Sequence, residues 1–362
     1  MPLITTASVA LVDVEVETVR QDAVQSFAKQ ETIVVDVATD EGLSGTGYAY
    51  TIGTGGHSVV ELLRHSLLPQ LVGRDSRDIE AIWTTLHNST RATTVGAITS
   101  LALAAVDTAL WDLRCLRADQ PLWRMAGGAK RSVPLYDTEH GWLQLSTDDL
   151  VAGAVAAKRN GWGGTKVKVG KPTAVEDAER LRAVREATGP NFDIMIDSNQ
   201  AFTSAEAIRR ASAFADLDLF WFEEPMPADD VSGHVRLAET TTIPIAVGES
   251  MYSLGQFRDY LQRGAVSILQ PDVARIGGIT PWLKVAHMAE AFNVVVCPHF
   301  LMELHVSLVA AVPNGRYVEH IPQLRAITTR EMEIVEGNAL APETPGLGIA
   351  WNRDAMEDHR VF

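Results

Sequence analysis

The chain has 362 residues, of which 46% are hydrophobic, and its 31 basic and 46 acidic side chains give a formal net charge of −15. This composition is typical of a soluble globular protein with room for two domains, or for one barrel with an appended domain. Because nucleic acid and anionic membranes both require a basic protein surface, the acidic balance argues against either partner.

The cysteines and the N-terminal segment favour a reducing compartment. Cys115 and Cys297 each lie in an apolar run, so the chain has no disulfide framework. Residues 1–6 lack the basic start, apolar core and cleavage site of a secretion signal, and no apolar run reaches the length of a membrane span. We therefore expect a cytoplasmic protein.

The first fifty residues show the pattern of a three-stranded sheet. Stretches rich in valine and other β-branched residues predict strands at 8–17, 32–38 and 45–51. A polar segment, residues 18–30, separates the first two strands, and a glycine-rich loop, residues 53–57, follows the third. No Lys-Ser or Lys-Thr follows these glycines, so the loop predicts a flexible lid or a plain turn rather than a phosphate cradle.

Helices follow this sheet. Apolar residues three and four apart predict helices at 58–68, 75–86 and 95–116. The third is apolar on nearly all sides, interrupted by Asp107 and Asp112, and is expected to lie buried between layers. Together the strands and helices predict an α+β domain over residues 1–125.

From residue 126 to 325 short apolar strands alternate with amphipathic helices. Eight strands are predicted, at 133–137, 165–169, 193–197, 219–223, 244–248, 267–270, 294–297 and 316–319. Polar residues that close successive strands lie 23 to 27 residues apart between Asp197 and His299, near the roughly 30 residues of a βα unit in a closed barrel. An open doubly wound sheet uses the same units but binds ligands at one switch point.

We therefore predict an α/β protein built on a (β/α)8-type barrel, a modified TIM barrel. The first 125 residues would form an α+β capping domain on it. Residues 326–362 are turn-rich and are expected to pack back against that domain.

Every predicted barrel strand from the second onward ends in a charged or polar residue. These residues are Lys166 and Lys168, Asp197 and Asn199, Glu223, Glu249, Asp272, His299 and Glu319. A single acid after a strand is most often a helix N-cap or a solvated loop residue, and two lysines alone would fit a solvated edge strand. Seven charged or polar strand ends in register are hard to explain as N-caps or solvated surface residues. In a barrel these strand ends converge on one mouth.

Three of these acids predict a metal site. Asp197, Glu223 and Glu249 end consecutive strands and repel one another at close range unless a cation compensates them. Ligation by oxygen alone favours Mg²⁺ over Zn²⁺.

Two basic groups, Lys168 and His299, are expected to flank the metal from opposite sides. Asp272 is placed to hydrogen-bond the imidazole and raise its basicity. Lys166 lies on the same strand face as Lys168, so mutual repulsion and burial would lower a lysine pKa towards neutral pH. A metal site with a base on either side is the arrangement expected for abstraction of a proton α to a carboxylate.

These motifs resemble those of the enolase superfamily, mandelate racemase subgroup, along the whole chain. The similar segments are 165–170, 196–200, 221–225, 247–250, 270–273, 277–280, 297–300 and 317–320. The resemblance implies Mg²⁺ ligation by Asp197, Glu223 and Glu249. It implies Lys168 and the pair of Asp272 and His299 as the acid/base groups.

The resemblance also implies roles for residues around the metal. Lys166 would tune the pKa of Lys168 and touch the substrate carboxylate, and Glu319 would hydrogen-bond a carboxylate oxygen. Asn199 would contact the substrate or support the site. Segments 18–30 and 50–57 would close over the barrel mouth. A small-molecule carboxylate substrate and a homo-oligomer are expected.

The catalytic residues alone do not separate racemisation from β-elimination. Polar side chains in the capping segments and after the first barrel strand favour a polyhydroxy substrate, although loop polarity alone also explains them. The substrate-binding candidates there are Arg20, His57, Glu139 and His140.

The segment 298–305 is similar to galactarate/talarate-type dehydratases, whereas 45–50 and 303–308 resemble an anhydro-sugar-acid cycloisomerase. We therefore expect a Mg²⁺-dependent acid-sugar dehydratase that acts through an enediolate and gives a 2-keto-3-deoxy acid. The alternative is a racemase, epimerase or cycloisomerase of a 2-hydroxy or anhydro-sugar acid. A catalytically silent binding protein and an unrelated barrel with a Schiff-base lysine are the other classes considered.

Overall fold

The computed structural model describes residues 1–94 and 96–362, with the backbone alone at 17–19 and 28. The N-terminal part is an antiparallel sheet in the order β1-β2-β3, followed by four helices. Its elements are β1 (Ile4–Gln21), β2 (Ser26–Thr39), β3 (Ser44–Thr51), α1 (Gly56–Leu62), α2 (Ile79–Ser89), α3 (Ala97–Arg117) and α4 (Leu122–Met125). A π-helical turn, Leu63–Leu67, and a 3-10 turn, Leu68–Gln70, extend α1. The predicted start of the third helix, Val95, lies outside the described residues.

The first two strands are much longer than predicted. The polar segment 18–30 continues the ladder, and Gln21 pairs with Ser26 at its tip. Oδ1 of Asp22 accepts the backbone N–H groups of Val24 and Gln25 at 2.7 and 2.8 Å, which closes a tight turn. The segment is therefore a projecting hairpin tip rather than a loop.

Helix α3 is packed between the sheet and the barrel, as its apolar pattern predicts. A Cβ on Gly47 of β3 would lie 2.2 Å from the backbone nitrogen of Ala109, so only glycine permits this approach. On the other side of the helix, Trp111 donates from Nε1 to Oγ1 of Thr280 at 2.9 Å.

The predicted closed barrel is confirmed. Seven of its strands are parallel neighbours from β4 to β10, β11 pairs with β4, and a bridge between Val296 and Gly315 joins β10 to the segment before β11. The strands are β4 (Ser132–Asp137), β5 (Gly164–Lys168), β6 (Asp193–Asp197), β7 (Trp221–Glu223), β8 (Ile245–Val247), β9 (Ile268–Leu269), β10 (Val295–Val296) and β11 (Val318–His320).

A helix follows each of the first seven barrel strands. These helices are α5 (Thr147–Arg159), α6 (Ala174–Thr188), α7 (Ser204–Ala213), α8 (Val231–Thr240), α9 (Leu254–Gln262), α10 (Ile279–Ala291) and α11 (Met302–Ala311). A 3-10 turn, Arg325–Ile327, follows β11 instead. Large buried rings, including Tyr136 and Trp221 packed edge-to-face at 5.2 Å, fill the barrel interior.

The C-terminal segment contacts the barrel first and the N-terminal sheet second. It contains β12 (Ile334–Val335), β13 (Asn338–Leu340) and α12 (Arg353–Asp358). β13 pairs antiparallel with β4, whereas Arg353 of α12 binds the carboxylate of Asp36 on β2 at 2.8 Å. The division of the chain at residues 125 and 325 stays a prediction. Across the described parts of the chain, none of the helices has the length and apolarity that a membrane span needs.

Candidate active site

The charged strand ends lie side by side at the barrel mouth. In the parallel register, Lys168 on β5 pairs with Asp197 on β6, and Asp197 pairs with Glu223 on β7. Glu249 stands two residues beyond the end of β8. One carboxylate oxygen from each of the three acids lies within 4.8 Å of the others, and all three side chains are buried.

This acid triad, Asp197, Glu223 and Glu249, offers the ligands of a divalent-cation site. Burial and the charge of Asp197 raise the pKa of Glu223 well above its usual range. Oε2 of Glu249 is buried and accepts no hydrogen bond from the described residues. Clustered carboxylate oxygens with a free acceptor fit a hard cation such as Mg²⁺.

Lys166 is enclosed by the acids. Its Nζ lies 2.9 Å from Oε1 of Glu223, 2.9 Å from Oε1 of Glu319 and 3.6 Å from Oδ2 of Asp197. Only 1% of the residue is exposed. Lys166 therefore joins the acid triad to Glu319 on the last barrel strand.

Lys168 forms a hydrogen-bonded ion pair with Asp197 and also donates to Oδ1 of Asn199 at 2.9 Å. Burial is the largest single influence and lowers its pKa, but the charges of Asp197, Glu223 and Glu249 together outweigh burial, and the pKa of Lys168 is raised. The predicted lowering of a lysine pKa by Lys166 is therefore wrong for this arrangement. Lys166 does lower the pKa of Lys168, but the surrounding carboxylates, Asp197 foremost, together decide the direction.

His299 is held by Asp272. Nδ1 of the imidazole lies 2.9 Å from Oδ2 of Asp272. Burial alone would raise the pKa of Asp272, but hydrogen bonding to His299 and its charge lower it to about 2. An ionised carboxylate can only accept a hydrogen bond, so Nδ1 of His299 carries the proton. Nε2 lies 3.4 Å from Oε2 of Glu249 and is the ring nitrogen that can exchange a proton with a ligand.

Glu319 is fixed by three donors. Oε1 accepts from Thr138 at 2.7 Å as well as from Lys166, and Oε2 accepts from the backbone N–H of Phe300 at 2.7 Å. Burial favours the neutral acid, but the charges of Lys166 and His299 and the hydrogen bonds from Lys166 and Thr138 together outweigh it and lower the pKa of Glu319. Hydrogen bonding by Glu319 to a substrate oxygen stays a prediction, since it needs the proton that Lys166 disfavours.

Two residues that the sequence analysis missed hold these groups in place. The hydroxyl of Tyr50 donates to Oδ2 of Asp272 at 2.6 Å. NH1 of Arg275 lies 3.2 Å from Oε1 and from the backbone oxygen of Glu249. Arg275 carries a local signal, because it stands three residues after Asp272 in a loop at the mouth.

A cavity of about 40 Å³ lies among these groups. The hairpin tip and β3 contribute one side of it and the barrel loops the other. Its lining residues are Asp22, Gln25, Phe27, Tyr50, Ile52, Thr138, Trp142, Lys168, Asn199, Glu249, Arg275, His299, Phe300, Glu319 and Ile321. The predicted acid/base groups Lys168 and His299, Glu249 of the acid triad and residues of the N-terminal sheet thus share one cavity.

Comparison with known proteins assigns the family. The model for the mandelate racemase / muconate lactonizing enzyme N-terminal domain matches residues 5–127, and the enolase C-terminal domain-like model matches residues 149–355. The chain belongs to the mandelate racemase subgroup of the enolase superfamily.

Relatives within this subgroup act on acid sugars. L-talarate/galactarate dehydratase of Salmonella typhimurium is 34% identical over 98% of this chain and 87% of its own length. Its crystal structure with Mg and L-lyxarohydroxamate superposes with a TM-score of 0.95 at 31% identity, covering 100% of this chain and 93% of that one. The 3,6-anhydro-α-L-galactonate cycloisomerase of Streptomyces coelicolor is 37% identical over 88% of each chain.

Four predicted substrate contacts of this subgroup member do not line the cavity. Arg20 lies with Nε 2.9 Å from Oε1 of Glu139, and both line a neighbouring cavity of about 270 Å³ together with His140. The His140 ring is largely exposed and its Nδ1 lies 2.8 Å from Asp137. His57 is exposed in the first turn of α1 and packs edge-to-face on Phe362.

Substrate binding by Arg20, His57, Glu139 and His140 therefore stays a prediction, since none of the four lines the mouth cavity. Each is polar and lies near the mouth in sequence, but each has an alternative partner or faces solvent. Asn199 and Lys166, the other predicted substrate contacts, do lie against Asp197 of the acid triad.

Proposed function

We propose that this protein is a Mg²⁺-dependent acid-sugar dehydratase. The observation that supports this most strongly is that two proton-transfer groups reach different members of the acid triad. Lys168 binds Asp197, whereas Nε2 of His299 approaches Glu249. A substrate whose carboxylate lies at the triad would therefore have its α-carbon within reach of two separate acid/base groups.

Asp197, Glu223 and Glu249 would hold the Mg²⁺ ion. Bound there, the ion supplies positive charge that offsets the negative charge developing on the substrate carboxylate. Neutralising Asp197 also removes the largest cause that raises the pKa of Lys168, while burial and Lys166 still lower it and Glu223 and Glu249 still raise it. Loading of the triad and the basicity of Lys168 are therefore linked.

In the proposed reaction one of Lys168 and His299 takes the proton from the α-carbon, and the C–H electrons form an enediolate. The C–O bond at the β-carbon then breaks, and the departing hydroxyl leaves as water with a proton from an acid group of the site. His299 is suited to this second step, because Asp272 fixes its tautomer. The resulting enol becomes the 2-keto-3-deoxy acid.

A cycloisomerase or racemase of a related acid is the second candidate. The relative named as a cycloisomerase is slightly more similar in sequence than the dehydratase, over a shorter alignment. The mouth cavity also presents apolar side chains, including Phe27, Ile52 and Ile321, which suit a less hydroxylated substrate.

A panel of aldonic, aldaric and anhydro-sugar acids with Mg²⁺ tests the proposal. The dehydratase is expected to produce a 2-keto acid that reacts with semicarbazide. Exchange of the α-proton in D₂O without keto product would favour the racemase, and a ring-opened or ring-closed isomer would favour the cycloisomerase. Neither exchange nor product with any acid would reject the proposed chemistry. A homo-oligomer and a cytoplasmic location stay predictions.

A further inference from the structure

Asp272 orients the imidazole of His299 from a loop rather than from a strand. It lies three residues beyond the end of β9 and seven before the start of α10. Its Oδ2 faces Tyr50 and His299, and its Oδ1 accepts the backbone N–H groups of Ala274 and Arg275 at 2.8 and 3.2 Å. A shift of this loop would therefore move the acid away from the imidazole.

The peptide after Asp272 is held by a buried histidine. The backbone N–H of Val273 donates to Nε2 of His305 at 3.1 Å. His305 lies near the start of α11, six residues after His299, and its side chain is fully buried. It therefore connects the loop that carries the acid to the helix that follows the imidazole.

This contact requires a neutral His305 ring. A peptide N–H can only donate, so Nε2 accepts and Nδ1 carries the ring proton. Burial lowers the pKa of His305 to about 4, although the charge of Asp272 opposes this effect. At neutral pH the ring is thus a fixed acceptor for the loop and not a further acid/base group.

The peptide before Asp272 is held in the same way. Nε1 of Trp282 on α10 donates to the backbone oxygen of Pro271 at 3.0 Å. The Trp282 side chain is fully buried, and its ring centroid lies 6.3 Å from that of His305. Two neighbouring rings from different helices thus hold the main chain on both sides of Asp272.

Loss of either ring contact would leave a buried peptide group unpaired. An unpaired buried N–H or C=O group is unfavourable, so the loop would move to regain a partner. Asp272 would move with the loop, and a displacement of about 1 Å in a site of this kind can lower a rate about 100-fold. The two rings therefore bear on the geometry of the pair formed by Asp272 and His299.

We propose that His305 and Trp282 are positioning residues for proton transfer at His299, because they fix the main chain around Asp272 and so keep its carboxylate on the imidazole. Neither residue lines the mouth cavity, so both act through Asp272. The effect on turnover rests on the proposed function. The geometry of the pair can be measured without a substrate.

His305→Leu and His305→Gln form a matched pair of variants in the full-length, Mg²⁺-loaded enzyme. Glutamine can place Oε1 near the position of Nε2 and accept the N–H of Val273, whereas leucine has no acceptor. His305→Leu should lower kcat by about 10- to 100-fold with KM changed by less than about threefold, and His305→Gln should restore kcat to within about threefold of wild type. An equal loss in both variants, or no loss with leucine, overturns the proposal.

The low-field proton NMR signal of the Nδ1–H group of His299 reports on the pair without a substrate. The absence of this signal in His299→Asn assigns it. The signal should be kept in wild type and in His305→Gln, and it should be shifted or lost in His305→Leu. If no acid is turned over or exchanged by the wild-type enzyme, the proposed function fails; an unchanged signal in His305→Leu overturns this inference instead.

Trp282→Phe tests the other contact and decides the inference if His305→Leu does not fold. Phenylalanine keeps an aromatic ring beside His305 but has no N–H for Pro271. We expect kcat to fall by about threefold or more, with a shifted His299 signal and little change in KM. Wild-type kcat and an unchanged signal in this variant contradict the role of Trp282.

His234→Leu is the control for removal of a buried histidine. His234 lies on α8, is fully buried and has its Nδ1 3.0 Å from the hydroxyl of Tyr260. Its loss should lower the free energy of unfolding but leave kcat within about twofold of wild type and the His299 signal unchanged. A loss of kcat equal to that of His305→Leu would indicate a general effect of such substitutions and overturn the proposal.

Discussion

The hydroxyl of Tyr50 donates a 2.6 Å hydrogen bond to Oδ2 of Asp272. Tyr50 lies on β3 of the N-terminal sheet, whereas Asp272 follows β9 of the barrel. The Tyr50 ring also packs on Phe300 at 4.5 Å, and Phe300 stacks on His299 at 5.2 Å. The N-terminal sheet therefore positions both the imidazole and the acid that orients it.

Tyr50→Phe should lower kcat by about 10- to 100-fold, the usual cost of losing a partner that orients a functional imidazole. The aromatic ring is retained, so the KM for a good substrate should change by less than about threefold. Steady-state kinetics with Mg²⁺ at saturation measure both values. A change in KM alone would show that Tyr50 acts on substrate binding and not through Asp272.

Tyr48→Phe is the matched control for this prediction. Tyr48 lies two residues away on the same strand and is buried, but its hydroxyl has no hydrogen-bond partner among the described residues. The same atom is therefore removed from the same sheet without loss of a hydrogen bond. We expect kcat to stay within about twofold of the wild-type value; an equal loss in both variants would indicate a general effect on the sheet.

The barrel and its charged mouth could be predicted because they depend on local patterns. Lys168, Asp197 and Glu223 each end a short apolar strand, and parallel pairing then brings consecutive strand ends together. Tyr50 and Asp272 are 222 residues apart, and no local pattern distinguishes Tyr50 from Tyr48. Long-range pairing of this kind is decided by packing and not by residue type.

The same limit applies to the predicted substrate contacts. Polarity correctly placed Arg20 and Glu139 near the mouth, but it does not say whether a polar side chain faces the ligand or another side chain. These two bind each other at 2.9 Å, and the guanidinium is buried. Their mutual pairing satisfies both groups without a substrate.

Mg²⁺ should stabilise the folded protein through the acid triad. Ligand that binds only the native state raises stability with its concentration, by about 2.7 kcal/mol at 100 times Kd. Glu223→Gln removes one anionic ligand and should abolish most of the Mg²⁺-induced rise in Tm. Thermal unfolding with EDTA and with increasing Mg²⁺ measures it.

Glu303→Gln serves as the control for the metal experiment. Burial raises the pKa of Glu303 to about 7, so glutamine resembles its neutral form, and the residue lies outside the triad in the first turn of α11. Its Mg²⁺-induced shift in Tm should match that of the wild type. Retention of the full shift in Glu223→Gln would mean that the cation binds elsewhere.

Asp107 should make stability depend on pH. Burial raises its pKa from 3.8 to about 7, although the backbone N–H of Thr280 donates to it at 2.9 Å. Because the folded-state pKa lies above the unfolded one, its contribution to stability is full below about pH 4 and is lost as the pH rises through about 7. The loss amounts to roughly 4 kcal/mol at most.

Asp107→Asn removes this titration and keeps a side-chain oxygen that can accept the backbone N–H of Thr280. Its free energy of unfolding relative to wild type should therefore increase from about pH 4 to about pH 7 and level off above that. Urea unfolding at several pH values checks the slope, with the exposed Asp229→Asn as a control that should show none. A constant difference in the free energy of unfolding across this range would mean that Asp107 has its ordinary pKa in the folded protein.

Lys168→Ala and His299→Asn should each reduce formation of the keto acid by at least about 10³-fold, since each removes a proton-transfer group. The two variants should nevertheless differ in D₂O. The variant that keeps the base should still exchange the α-hydrogen, whereas the variant that lacks the base should not. Proton NMR of recovered substrate measures this exchange and thereby assigns the base. Full turnover in either variant would contradict the proposed mechanism, and exchange in both would indicate that each group can remove the proton, as a racemase requires.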